Sequence, residues 1–317
     1  MRLAVVLFNL GGPDSLDAVE PYLRNLFSDP AIIRLPAPLR LPLAWLIARR
    51  RAPFARDIYE KLGGRSPILE NTQAQARALE QALAAQGVDA KAFIAMRCWH
   101  PFSDETVAAV KAFAPERIVL LPLYPQYSTT TTASSFADWN RAAASLGIPT
   151  ARVDNYPTAP GFIAALADCV RETWKQTRPG IRYRLLLSAH GLPERVIRAG
   201  DPYQRQVETT AAALVRELGM AELDPTVCYQ SRVGPLTWIG PSTDSEIVRA
   251  GRDGMGVVVA PVAFVSEHSE TLVELDMEYA KLARASGVPD YLRAPTVGTR
   301  AAFIDALARL VLEQVKR

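Results

Sequence analysis

Apolar positions along this chain gather in short, nearly unbroken runs, with stretches of helical periodicity between them. Val257 to Val265, VVVAPVAFV, shows the pattern best. Apolar and β-branched residues fill it with almost no alternation, as in an interior strand of a parallel sheet covered on both faces. Similar runs at Leu3, Phe93, Arg117, Tyr183 and Val227 lead into loops and then helical patterns, which predicts βαβ units and a mainly parallel α/β fold. The runs also repeat. Leu3–Pro13, ending FNLGGP, matches Tyr183–Pro193, ending LSAHGLP, and Phe93–Met96 before RCWHP matches Val227–Gln230 before SRVGP. Arg117–Leu123 before YPQYS matches Val257–Val265 before SEHSE, and Asn155–Val170 matches Tyr291–Val311. Four units in one order, twice, predict two similar halves. The boundary is expected near residues 150 to 160, giving domains 1–155 and 156–298 with a ligand cleft between them. The last helix, residues 299–317, is expected to pack back on the first domain.

One segment has no counterpart in the second half. Leu35–Phe54, LPAPLRLPLAWLIARRRAPF, joins an apolar run to Arg49, Arg50 and Arg51. A buried helix with a basic end is one reading, since cations suit a helix C-terminus. An exposed lip that touches a greasy ligand or a membrane surface is the other. Pro36, Pro38 and Pro42 predict an irregular flap in place of a long helix.

Beyond the Val257–Val265 strand, Ser266 is placed to cap a helix. Glu267, Glu270, Glu274 and Glu278 then follow at steps that put all four along one side at 3.6 residues per turn, with Leu272, Leu275, Tyr279 and Leu282 on the apolar side. No Lys or Arg lies between Glu267 and Glu278, so something else should relieve the repulsion. A solvated face is the bland reading. Position favours a site, because ligands of open α/β sheets bind at the carboxyl ends of strands. His190, one of three histidines, sits at another strand end in SAHGLP. Together the two loops offer imidazole and carboxylates suited to a divalent metal or to proton transfer.

Composition narrows the classes. A chain of 317 residues, 49% hydrophobic, is long enough for about two domains with substantial cores. Its 36 basic and 33 acidic residues leave a net charge of +3, too balanced for a protein that coats nucleic acid. No apolar run reaches the roughly 18 to 20 residues that span a bilayer, and the N-terminus lacks a signal-peptide cleavage pattern. Cys98, Cys169 and Cys228 form no CxxC pair, which fits a cytoplasmic protein with unpaired thiols. NLGGPDS lacks the GxGxxG spacing of a dinucleotide loop, and neither a phosphate-binding GxxxxGK[ST] nor a GxSxG elbow occurs. PLYPQYSTTTT, Pro122–Thr132, either binds a polar group or caps the helix after it.

The motifs NLGGP, GGRSPI, MRCWHP, YPQYS, SAHGLP, YQSRVGPLTWIGP and FVSEHSETLVELDMEY run nearly end to end, and through them the chain resembles the ferrochelatase family. The resemblance implies two similar Rossmann-like domains in a chelatase-like fold around a porphyrin cleft, and a lyase that inserts Fe2+ into protoporphyrin IX at the end of haem synthesis. It implies that His190 and Glu270 are the catalytic and metal-facing pair and that Glu274 and Glu278 continue a path for metal or protons. It places Leu10, Arg51, Tyr59, Ser66, Arg97 and Trp238 against the macrocycle. Cys98 stands where some relatives have tyrosine. No Cys follows Cys228, so no [2Fe-2S] cluster is expected, and no tightly bound cofactor; Fe2+ is a substrate.

The length and greasiness of the 35–54 lip resemble the protoporphyrin-using form, with a coproporphyrin-using form as the alternative. Another tetrapyrrole chelatase and a non-enzymatic porphyrin carrier are the remaining alternatives. The expected location is cytoplasmic, peripheral to the inner face of the membrane through the lip, in contact with haem-pathway proteins.

Overall fold

Among the described residues, eight strands form two parallel sheets of four. The first contains β1 (Leu3–Asn9), β2 (Ala90–Met96), β3 (Arg117–Pro122) and β4 (Thr150–Arg152), in the order β2-β1-β3-β4. The second contains β5 (Tyr183–His190), β6 (Asp224–Gln230), β7 (Gly256–Pro261) and β8 (Tyr291–Arg293), in the order β6-β5-β7-β8. This computed structural model describes residues 1–221, 223–232, 234 and 236–316. Positions 233 and 235 of the YQSRVGPLTWIGP motif and position 317 of the expected last helix lie outside the described residues.

The two sheets have one topology, and β1, β2 and β3 match β5, β6 and β7 as the sequence echo gives them, whereas β4 lies just before the Asn155–Val170 segment that the echo pairs with the stretch containing β8. The likeness extends to the loops. Met96 N donates to Pro101 O at 2.7 Å and Tyr229 N to Pro241 O at 2.9 Å, while Leu123 N donates to Phe8 O and Val262 N to Ser188 O. β1, β5 and β7 are buried along nearly their whole lengths, which is why their sequences show no alternation. The chain divides into a unit of Met1–Asn155 together with the segment from Ile304 onward, and a unit of Tyr156–Phe303. The last helix, Ala301–Lys316, meets the first unit where Arg117 Nη1 donates to Val315 O at 2.9 Å.

Two expectations need correction. Leu35–Phe54 is not an irregular flap: it lies almost wholly in a helix, α2 (Ala37–Glu60). Pro36 is its cap and Pro38 falls in its first turn, where no N–H bond is lost. Pro42 and Pro53 sit inside but point to solvent, as do Pro38 and Arg49, whose carbonyls they leave unbonded, so water can satisfy those groups. α2 packs on α1 (Val19–Ser28) through a stripe of Ala44, Ala48 and Ala52 continued by Tyr59. Its large apolar residues face outward: Leu39 is 62% exposed, Phe54 60% and Trp45 45%.

The acidic segment is likewise not an α-helix with four glutamates on one face. Glu270–Tyr279 is a π-helix, continued by a short α-helix over Ala280–Ala285. Each π-helical bond spans five residues, so a four-residue step falls just short of a turn. Glu270, Glu274 and Glu278 therefore stay near one side. Glu267 lies before the helix and pairs with Arg293 at 2.7 Å. Ser266 does not cap the helix; its carbonyl accepts from His268 Nδ1. Leu275 and Tyr279 are buried in the core beneath, with Leu282 packed against it, whereas Leu272 is only half-buried.

Candidate active site

His190 is the last residue of β5, one residue beyond the deeply buried part of the strand and in register with Gln230 at the end of β6. Its Nδ1 lies 2.6 Å from the carbonyl oxygen of Gly191. A carbonyl only accepts, so Nδ1 carries a proton and Nε2 is the nitrogen left to exchange one. That atom is 3.8 Å from Glu270 Oε1. His268 repeats the arrangement. Its Nδ1 is 2.9 Å from Ser266 O, and its Nε2 is 3.9 Å from Glu270 Oε2. Two imidazoles, each with its second nitrogen locked on a backbone carbonyl, thus face one carboxylate. Glu270 Oε2 is buried and accepts no hydrogen bond among the described residues, which leaves one carboxylate oxygen open between the two imidazoles.

Burial acts to raise the Glu270 carboxyl, but the charges of His190 and His268 outweigh it and bring it down to about 2. For His268, burial works downward and the Glu270 carboxylate prevails, raising the imidazole. Glu274 lies in a different setting. Its Oε1 accepts from Ser231 N at 2.8 Å and from the Tyr279 hydroxyl at 3.1 Å, and its Oε2 from Gln230 Nε2 at 3.0 Å and Ser231 Oγ at 2.5 Å. Burial, then the charge of Glu270, raise this carboxyl. Gln230 Nε2 also reaches Glu270 O at 3.1 Å, so the end of β6 holds both glutamates. Ser231 adopts a φ of 61°, a left-handed conformation that costs on the order of 1 kcal/mol or more outside glycine and turns its N–H toward Glu274. Glu278 is exposed, and the three glutamates run from the interior to the surface.

Trp238 closes on the residue next to His190. It forms an isolated bridge with Pro193, and a Cβ at Gly191 would lie 3.3 Å from its ring and 3.0 Å from Gln230 O. Glycine at 191 permits that approach.

In the other unit, Leu10, the residue after β1, stands in FNLGGP where His190 stands in LSAHGLP, and Cys98 N donates to its carbonyl at 2.9 Å. Arg97 N donates to Asn9 O, placing Arg97 beside Leu10. The Arg97 guanidinium is held by Asp29 at 3.0 Å and by Ser134 Oγ at 2.7 Å, and Ser134 also donates to Asp29. Arg51 is half-buried over the Phe27 ring, and Tyr59 is buried against α1. Ser66 is buried beneath Gly12, and Ser66 N donates to Pro13 O at 2.8 Å. Cys98 points into the α1–α2 core, where burial pushes its thiol up to about 12. All three cysteines are buried and unpaired.

The family model described as Ferrochelatase matches residues 2–315. The chain belongs to the ferrochelatase family. It is 58% identical over 316 residues to a ferrochelatase of Caulobacter vibrioides, covering 99% of this chain and 90% of that one. It is 57% identical over 319 residues to a ferrochelatase of Phenylobacterium zucineum, covering 100% and 92%. Among solved structures, the sirohydrochlorin chelatase SirB from Bacillus subtilis subspecies spizizenii in complex with cobalt shares the fold at a TM-score of 0.57 and 12% identity, covering 100% of this chain and 96% of that one. CbiX, the terminal enzyme for biosynthesis of sirohaem in denitrifying bacteria, shares it at 0.52 and 16%, covering 99% of each. As a family member the protein is a lyase that inserts ferrous iron into protoporphyrin IX to give protohaem, the terminal step of haem biosynthesis.

The candidate residues therefore form groups within each unit. His190, Glu270, Glu274 and Trp238 assemble at the ends of β5 and β6, with Glu278 outside on the surface. The sequence marks the Glu267–Glu270 segment as a source of oxygen and imidazole donors but gives His268, two residues from Glu270, no role of its own. It also misses Gln230 and Ser231, whose role follows only from strand register. Tyr203 went unremarked too; it is buried beside Glu270, and burial pushes its phenol well above the ordinary range. Among the described residues no three of His, Cys, Asp and Glu converge on a point that holds an ion, and no helix is long and apolar enough to cross a membrane.

Proposed function

We propose that His190 and His268 accept the two pyrrole protons displaced when Fe2+ enters protoporphyrin IX, with Glu270 as the carboxylate that stabilises the charge they acquire. The observation that carries this reading is the pair of Nδ1-to-carbonyl locks, which leave both Nε2 atoms, the exchangeable nitrogens, facing one carboxylate. A base held in place contributes about 10²- to 10⁴-fold in rate. Flat porphyrin keeps its lone pairs in plane, so the ring must bend. That distortion draws roughly 1 to 5 kcal/mol from contacts away from the reacting nitrogens. Trp238, beside His190, and Leu10, Arg51, Tyr59, Ser66 and Arg97 are the residues assigned to those contacts.

Glu274 then carries protons outward, and Glu278 delivers them to water. Four donors already fill both oxygens of Glu274, which suits a fixed acceptor better than an iron ligand. Its raised carboxyl takes a proton more readily than Glu270 does.

The outward face of α2 suits an apolar substrate and a membrane surface. Burying a Leu or Phe side chain is worth about 1.5 to 3 kcal/mol, and α2 leaves Leu39, Leu41, Leu43, Trp45, Leu46 and Phe54 in solvent with Arg49 and Arg50 alongside. Peripheral contact with the inner face of the membrane follows, by an apolar face flanked by cations. Comparing kcat/KM for protoporphyrin IX and coproporphyrin tests the substrate reading. Protoporphyrin is expected to be favoured on the order of tenfold or more; a preference for coproporphyrin would overturn it.

A further inference from the structure

We infer that Arg293, on the edge strand β8, is a positioning residue for Glu270 and His268. It is well buried, at 12% exposure. Its Nε and Nη2 grip the carboxylate of Asp276 at 2.8 and 2.5 Å, and its Nη1 holds Glu267 Oε1 at 2.7 Å. Glu267 precedes His268 and Glu270 in sequence, and Asp276 follows them inside the π-helix. One guanidinium thus ties down both ends of the segment that carries the imidazole and the carboxylate. Thr296 N and Oγ1 donate to the same Glu267 oxygen at 2.8 and 3.2 Å, and Tyr291, two residues earlier on the same face of β8, donates its hydroxyl to Leu275 O at 2.8 Å. The segment is fixed to the sheet through β8, and Arg293 makes the contacts that flank the site.

A lysine at this position keeps the charge but cannot span both carboxylates, because the planar fork is what allows three donors to point two ways. Loss of the fork leaves Glu267 and Asp276 to separate. Displacement of a reacting group by about 1 Å from a remote change can cost on the order of 10²-fold.

A matched control exists in the same sheet. Arg184, near the start of β5, is as buried and also holds two carboxylates, Asp224 at 2.7 Å and Asp253 at 3.0 Å. Six residues of strand, roughly 20 Å, separate it from His190. The inference rests on the reading of Glu270 given above. The test is Arg293→Lys beside Arg184→Lys and Glu270→Gln in the intact protein, with kcat, protoporphyrin Kd by fluorescence and Tm measured on each. Arg293→Lys is expected to lose about 10- to 100-fold in kcat with porphyrin Kd held within about twofold. Arg184→Lys is expected to lose comparable Tm with kcat within about twofold of wild type. If Arg293→Lys does not fold, Asp276→Asn removes one arm of the same clamp and is expected to show the same split.

Wild-type kcat in Arg293→Lys, or equal kcat losses in the two arginine variants, overturns the inference, provided that Glu270→Gln is inactive. An active Glu270→Gln overturns the underlying reading, and this one with it.

Discussion

Glu270→Gln is expected to lower iron insertion by about 10²- to 10⁴-fold while protoporphyrin still binds within about twofold of wild type. The substitution keeps shape and removes charge. In the native site Glu270 compensates whichever imidazole has taken a proton, and its two oxygens stand 3.8 and 3.9 Å from the two Nε2 atoms. A neutral amide cannot offset an imidazolium in this partly buried setting, so proton transfer to His190 and His268 loses its driving force. The check is anaerobic metallation of protoporphyrin followed by absorbance, with a parallel fluorescence titration for binding. A carrier that used the site only to hold porphyrin would show no change in binding, and turnover within about fivefold of wild type would remove Glu270 from the chemistry.

The same carboxylate is expected to make the stability of wild type over Glu270→Gln depend on pH, with the difference greatest between about pH 4.5 and 6.5. Glu270 is depressed from 4.5 to about 2, so its contribution is complete above 4.5 and is lost as pH falls toward 2. A shift of that size corresponds to on the order of 3 kcal/mol. His268 is raised above 6.5, so its contribution is complete below 6.5 and disappears as pH rises through the raised value. Only in the window between 4.5 and 6.5 are both contributions complete. Thermal unfolding of the two proteins across pH 4 to 9 measures this. A difference that grew steadily toward alkaline pH would contradict the assigned pairing.

Much of the architecture is legible because it depends on short-range pattern. Unbroken β-branched runs announce buried parallel strands, and the recurrence of FNLGGP as LSAHGLP reflects two copies of one strand–loop geometry, down to matching backbone bonds after β2 and β6. What the sequence hides is long-range. Arg293 lies 26 residues from Glu267, and nothing local shows that it relieves the acidic segment. The π-helix escapes a reading made at 3.6 residues per turn, and with it goes the supposed four-glutamate face. The prolines of α2 mislead when weighed without their surroundings: Pro36 caps, Pro38 lies in the first turn, and Pro42 faces water. Its exposed leucines also invert the usual amphipathic logic, since alanines take the core side. The strand-end positions of His190 and Glu270 mark a site in the sequence, and the family motifs pair them. The role of their imidazole partner, His268, depends on the fold, which brings both locked rings onto the same carboxylate.

The most direct measurement is a single turnover: protein loaded with protoporphyrin is mixed anaerobically with Fe2+, and metallation is followed by absorbance in wild type and in His190→Ala. With His190 as the acceptor of a pyrrole proton, His190→Ala retains bound porphyrin and inserts iron at least about 10²-fold more slowly. Insertion at a near-wild-type rate, with porphyrin bound normally, would contradict it.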